Sequence, residues 1–199
     1  MIKNFKKQKG FTPLDNKHLT GFTLAELMIV LGITLLVFIL LINTYILSQR
    51  AYIKSSNRYE IVQNSRVFID RISRELRQSP ELVTILPETI AGAPFEIIFQ
   101  DGHNGTIIKY IKYYLINSDL YRQISHYSFP ENPTIFVQWN SENGFGESPV
   151  ETIETDEIIG EYVDSLIFYG INNLINIEAV FSKHGENINI YTQVAGRNL

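Results

Sequence analysis

The chain begins polar, becomes wholly apolar, and then changes its hydrophobic period. Residues 1–20 contain Gly10 and Pro13 and no sustained periodicity, which predicts a disordered leader. From Leu27 to Leu47 no residue is charged, and at ~1.5 Å per helical residue that run covers about 31 Å. A bilayer core is ~30 Å thick, so the run predicts a membrane-spanning helix. Beyond it, Val62, Ser65, Ile69, Ile72 and Leu76 recur at three- and four-residue steps with Phe68 beside them. No proline lies between Pro13 and Pro80, so one nearly continuous helix is expected from Phe22 to about Gln78, stopped by Ser79-Pro80. Asp70–Arg74 and Arg71–Glu75 read as i,i+4 pairs on the opposite, solvated side, each worth a few tenths of a kcal/mol.

After Pro80 the period becomes two. Residues 95–99 and 107–116 flank the turn-rich Gln100-Asp101-Gly102-His103-Asn104-Gly105-Thr106, a hairpin signature. In the second strand both faces are largely apolar, which predicts cover on both sides. Asn117-Ser118-Asp119 turns into a third strand at 120–124. Residues 128–156 hold Pro130, Pro133, Gly144, Gly146 and Pro149, so a long loop is expected there, with a short strand at 134–139. Three more strands are expected at 163–169, 175–181 and 188–194, the last two joined at His184-Gly185-Glu186-Asn187. The fold class is therefore α+β: a long N-terminal helix, with a transmembrane half and an amphipathic half, packed on an antiparallel head of one or two sheet layers.

Charge changes this picture in one respect. The leader carries +4, residues 48–79 another +4, and residues 80–199 carry −11. An acidic head argues against binding a phosphate backbone, so nucleic acid is not an expected partner. The arginines from Arg50 to Arg77 read as a solvated face; the sharper alternative has some of them bridging to acidic surfaces of adjoining subunits. There is no cysteine, which removes disulfides and thiolate metal sites.

Candidate chemistry is sparse. His18, His103, His126 and His184 are far apart and lack the spacing of a helical metal pair. Asp101, Asn104 and Thr106, or the run Glu151, Glu154, Asp156, Glu157 and Glu161, could supply calcium oxygens. A tight polar hairpin and a solvated loop with a helix start account for them better. Trp139, Phe136 and Tyr127 are expected in the core rather than in an exposed patch. No nucleophile elbow or phosphate loop occurs. No catalytic residue, cofactor or metal is expected.

What remains is Gly21-Phe22-Thr23-Leu24-Ala25-Glu26, with one carboxylate entering the apolar run. An ionised group there costs roughly 2.5–3.5 kcal/mol on insertion scales and calls for a partner. The order resembles the class III signal of type IV prepilins and type II secretion pseudopilins. That resemblance implies cleavage between Gly21 and Phe22 by a prepilin peptidase that also methylates the new amine of Phe22. It makes Glu26 the fifth mature residue, setting assembly register against a neighbour's N-terminal amine, since two opposite charges leaving water together cost less than one. It divides the chain into a removed leader (1–21), a membrane or filament-core helix (22–48), an amphipathic helix (49–79) and a β-rich head (80–199). The implied partners are the peptidase, other major and minor pilins or pseudopilins, the inner-membrane assembly platform and, before assembly, the membrane itself. The N-terminus would be cytoplasmic and the head extracytoplasmic. No small-x-small site follows the apolar run, so the helix should stay attached.

A narrower resemblance, to J-type minor pseudopilins and W-type minor pilins, runs through residues 66–77, 107–122, 162–169 and 194–199. The presence of Glu26 departs from the K-type tip subunit. Asn43 stands where many relatives of this kind have a proline, which weakens any expectation of a kink there. Rival readings are a competence or adhesion minor pilin, a major pilin, and a membrane-anchored domain of other activity.

Overall fold

The computed structural model describes residues 21–103, 107–171 and 173–196. The expected leader, residues 104–106 of the first hairpin and residues 197–199 of the closing segment lie outside them. The chain divides into two compact units, Met1–Gln49 and Arg50–Leu199. One helix, α1 (Leu24–Gln78), supplies all the regular structure among the described residues of the first and continues into the second.

In the first unit α1 is apolar around its whole circumference, and every described residue is exposed. A helix of that kind belongs in a larger core or in lipid. It is long and apolar enough to cross a membrane. Its two threonine hydroxyls donate back to carbonyls one turn earlier, Thr34 to Val30 at 2.7 Å and Thr44 to Leu40 at 2.8 Å. Neither is therefore left unsatisfied in an apolar surrounding.

In the second unit the remainder of α1 packs on two antiparallel sheets. Strands β1 (Ile97–Gln100), β2 (Tyr110–Ile116), β3 (Asp119–Phe129), β4 (Asn132–Val137) and β5 (Val150–Gly160) form the first. In it β3 is central and β5 pairs only with β3. Strands β6 (Val163–Ile171), β7 (Leu174–Lys183) and β8 (Glu186–Ala195) form the second, in chain order. Alternation along the strands sends Ile97, Phe99, Ile111, Tyr113 and Leu120 of the first sheet and Leu166, Phe168, Ile177, Ala179 and Phe181 of the second into one core. The helix closes that core with Ile61, Phe68, Ile72 and Leu76. Phe68 is the hinge of the packing, edge-on to Tyr113 at 6.1 Å and tilted against Phe181 at 6.4 Å.

Two-residue turns with positive φ join strands at Asn117-Ser118 (49°, 70°) and His184-Gly185 (50°, 84°), the conformation that matches strand twist in tight hairpins. Where the helix ends, Gly102 passes so close that a Cβ on it would lie 1.7 Å from the Gln78 carbonyl oxygen.

Three expectations are corrected. The long loop at 128–156 is mostly strand: β3 continues to Phe129, β4 and β5 follow, and only residues 138–149 connect the last two. Four acids of the run, Glu151, Glu154, Asp156 and Glu157, lie in β5, whose residues 150–158 are all exposed, so no buried face betrayed it by alternation. The second face of β2 is covered only at its start, where Tyr110 is 1% exposed against Tyr127. Tyr114 lies half-buried against its stacked neighbour Tyr121 at 5.4 Å, and Ile116 is exposed.

Candidate functional site

The N-terminal segment is built around a helix cap. Thr23 immediately precedes α1, and its backbone N–H and hydroxyl donate to Glu26 Oε2 at 2.9 and 3.0 Å. The Glu26 N–H donates back to Thr23 Oγ1 at 3.3 Å. This is a reciprocal capping box: threonine at the cap and glutamate three residues on each satisfy a backbone donor that the helix leaves free. It also places the carboxylate at the positive end of the helix dipole. Sequence reasoning named an amine on a neighbouring chain as the partner of Glu26 and missed Thr23. The signal was present as Thr-x-x-Glu ahead of an apolar run.

Both bonds that the carboxylate accepts go to Oε2; among the described residues Oε1 accepts none. Gly21 and Phe22 lie ahead of the cap. Phe22 is 84% exposed, and among the described residues no atom beyond its chain neighbours lies within 4 Å of where a Cβ on Gly21 would sit.

No family model, curated protein or solved structure matches this chain.

In the second unit the strongest electrostatic feature is a buried polar cluster. Glu75 is 6% and Arg122 8% exposed. Arg122 Nη2 lies 3.0 Å from Glu75 Oε1 and its Nε 3.3 Å from Oε2, while the Tyr113 hydroxyl donates to Oε2 at 2.5 Å. Arg71 reaches the same carboxylate at 3.6 Å and bonds Glu157 of β5 at 2.8 Å. Two cations thus meet two anions, and the helix, β2, β3 and β5 are tied together.

Burial, and then the adjacent Glu75 charge and hydrogen bond, push the Tyr113 phenol far up, so it stays a donor. Burial alone would lower the Arg122 pKa, but its bond to Glu75 and the attraction between them outweigh this and raise it. Here too sequence reasoning erred. Glu75 was placed on the solvated side with Arg71, yet it falls seven residues after Phe68 and three after Ile72, squarely on the buried stripe.

A second tie joins Lys183 to Glu60 at 2.6 Å and to the Tyr162 hydroxyl at 3.0 Å. The Lys183 hydrogen bond holds the Glu60 carboxyl below its usual range. A third joins Glu154 to Lys109 at 2.6 Å and His126 at 3.0 Å, so this acid of β5 serves cross-strand pairs. Among the described residues no three His, Asp or Glu side chains gather as a metal site. Asp101 Oδ1 meets His103 Nδ1 at 2.6 Å in a turn, while its expected companions Asn104 and Thr106 lie outside the described residues.

The aromatic trio is only partly buried. Tyr127 is edge-on to Tyr110 at 5.2 Å and Phe136 stacks on His126 at 3.9 Å. Trp139 stays 38% exposed because its indole N–H reaches outward to Glu81 at 3.4 Å.

Proposed function

We propose that this chain is a minor pilin or pseudopilin, most like the J and W types, and that its work is structural and not enzymatic. The observation that carries the reading is the exposed Phe22 and the Gly21-Phe22 bond set directly before a capped helix that holds Glu26 in its first turn and no charge from Leu27 to Leu47. Cleavage there leaves Phe22 as the N-terminal, methylated residue, one position ahead of Thr23. Glu26 keeps its cap through one oxygen and offers the other to a neighbour's amine. The apolar helix then exchanges lipid for the helices of other subunits during extraction into a filament. The α+β head, with its acidic β5 edge, selects which subunits join.

The test is intact mass and N-terminal sequencing of the membrane-bound protein made with a prepilin peptidase, as wild type and Gly21→Ala. A methylated Phe22 terminus in the wild type, absent from the variant, is expected. An uncut Met1 form that remains functional would refute the reading and leave an anchored domain of another kind.

A further inference from the structure

Strand β5 leaves one edge of the first sheet open. It is 11 residues long, and among the described residues its backbone bonds only to β3. The other margins are short or partly covered. Beside β1, Val83 and Thr84 donate to the Ile98 carbonyl. Strand β4 has 6 residues, one of them Pro133. Phe168 and Gly170 of β6 donate to the carbonyls of Pro94 and Pro87. Strand β8 is the other long edge, but its one charged residue, Glu186, already meets Lys54 at 3.1 Å. Long free edges are usually blunted by lysine or proline, and β5 contains neither. Its register with β3 shifts twice, so an incoming strand has to match that irregular edge.

Register identifies the free backbone groups. The turn Asn117-Ser118 closes on the pair Ile116–Asp119, which in a two-residue hairpin exchanges both backbone bonds. Alternation then turns Leu120, Arg122, Ile124 and His126 towards β5, opposite Gly160, Glu157, Thr155 and Thr152. The residues between these on β5, Glu151 and Asp156 among them, direct their N–H and C=O groups to the open side. Their side chains lie on the face of the sheet that carries Tyr114 and Gln123. Asp156 accepts from the Tyr114 hydroxyl at 2.8 Å, and Glu151 lies 3.5 Å from the Gln123 amide nitrogen. Among the described residues neither acid meets a cation within ion-pair distance, whereas Glu154 and Glu157 are already paired with Lys109 and Arg71.

We propose that an extended basic segment of another protein adds to β5 as a further strand. Its backbone takes the free groups of β5, and its lysines or arginines face Glu151 and Asp156. A second copy of β5 does not suit the site, because four acids and no cation on each strand set like charges opposite one another. Strand addition deepens the reading of the head as the part that selects subunits, on which it rests for its partner.

The probe is a fluorescent synthetic peptide that alternates lysine with valine over the length of β5, titrated into the full chain in non-ionic detergent. Anisotropy reads binding, and amide hydrogen exchange reads its place. The peptide should bind and slow exchange at β5, with β8 as the internal control. A peptide with glutamate for lysine should not bind. Nor should the lysine peptide N-methylated at alternate residues, which keeps its charge and loses backbone donors. Glu151→Gln with Asp156→Asn should weaken binding about threefold or more, two opposite-charge cross-strand pairs being lost. Asp156→Pro removes an outward N–H and none that bonds β3; it should abolish binding while the unfolding midpoint stays near that of Asp156→Asn. Equal binding of the N-methylated peptide overturns strand addition. Undiminished binding by the Glu151/Asp156 variant, or slowed exchange at β8 in place of β5, overturns the site. Self-association that slows exchange at β5 without peptide makes a second copy the occupant and overturns the basic partner. An uncut, functional chain whose β5 still takes the peptide refutes the pilin reading and leaves the strand site standing; a processed chain whose β5 takes none does the reverse.

Discussion

Replacing Arg122 by Met leaves the Glu75 carboxylate in a place built for an ion pair, and the structure sets the scale of the damage. The variant loses contacts at 3.0 and 3.3 Å to a carboxylate that is only 6% exposed. Stranding one member of a buried pair costs roughly 3–5 kcal/mol. Arg71, already 3.6 Å away and one-third exposed, can swing closer and recover part of this, so the lower end, about 3 kcal/mol, is expected. Adding Glu75→Gln removes the stranded charge and keeps an acceptor for Tyr113. The double variant should therefore be more stable than Arg122→Met alone, with a coupling of about 2 kcal/mol. The assay is urea unfolding of the full chain in non-ionic detergent, followed through the single tryptophan. Trp139 suits the purpose because it is hydrogen-bonded to both Tyr110 and Glu81 of the head. A single variant within about 0.5 kcal/mol of wild type, or strictly additive losses, would show that the cluster does not act as a unit.

Other predictions concern packing and pH. Gly102→Ala forces a methyl group against the Gln78 carbonyl oxygen and should destabilise the head by more than about 2 kcal/mol in the same assay, because backbone and not a flexible side chain must move. Phe68→Ala should cost about 3–5 kcal/mol by opening a cavity beneath both sheets. The Lys109 hydrogen bond, acting with His126 and against burial, holds the Glu154 carboxyl below 4.5. Its contribution is complete above that value and disappears as pH falls through the lower, folded-state pKa, so Lys109→Met should flatten the acid limb of the unfolding midpoint against pH. Tyr114 behaves in the opposite sense. Burial and the Asp156 hydrogen bond push its phenol up to about 12 from 10, so its contribution is lost as pH rises across that interval. Tyr114→Phe should remove one tyrosinate step seen by ultraviolet absorbance there.

The sequence by itself determined the features that depend on neighbours along the chain. Twenty-one uncharged residues make a bilayer-length helix whatever surrounds them, and Ser79-Pro80 ends it because proline lacks the required N–H. Alternation with tight turns was sufficient for β6, β7 and β8, since one face of each strand enters the core. The capping box was legible too, being a local exchange between Thr23 and Glu26. Tertiary structure alone decided the roles of Glu75, Arg122 and β5. A charged side chain reads as solvated until the partner that neutralises it is known, and Arg122 lies 47 residues from Glu75. Only the β2–β3 register, which sets Tyr113 opposite Arg122, brings two helix-facing polar groups together on Glu75. Strand β5 exists because β3 offers a free edge across nearly its whole length. Its acidic, doubly exposed residues show no alternation, so the cause of its conformation lies in the strand beside it.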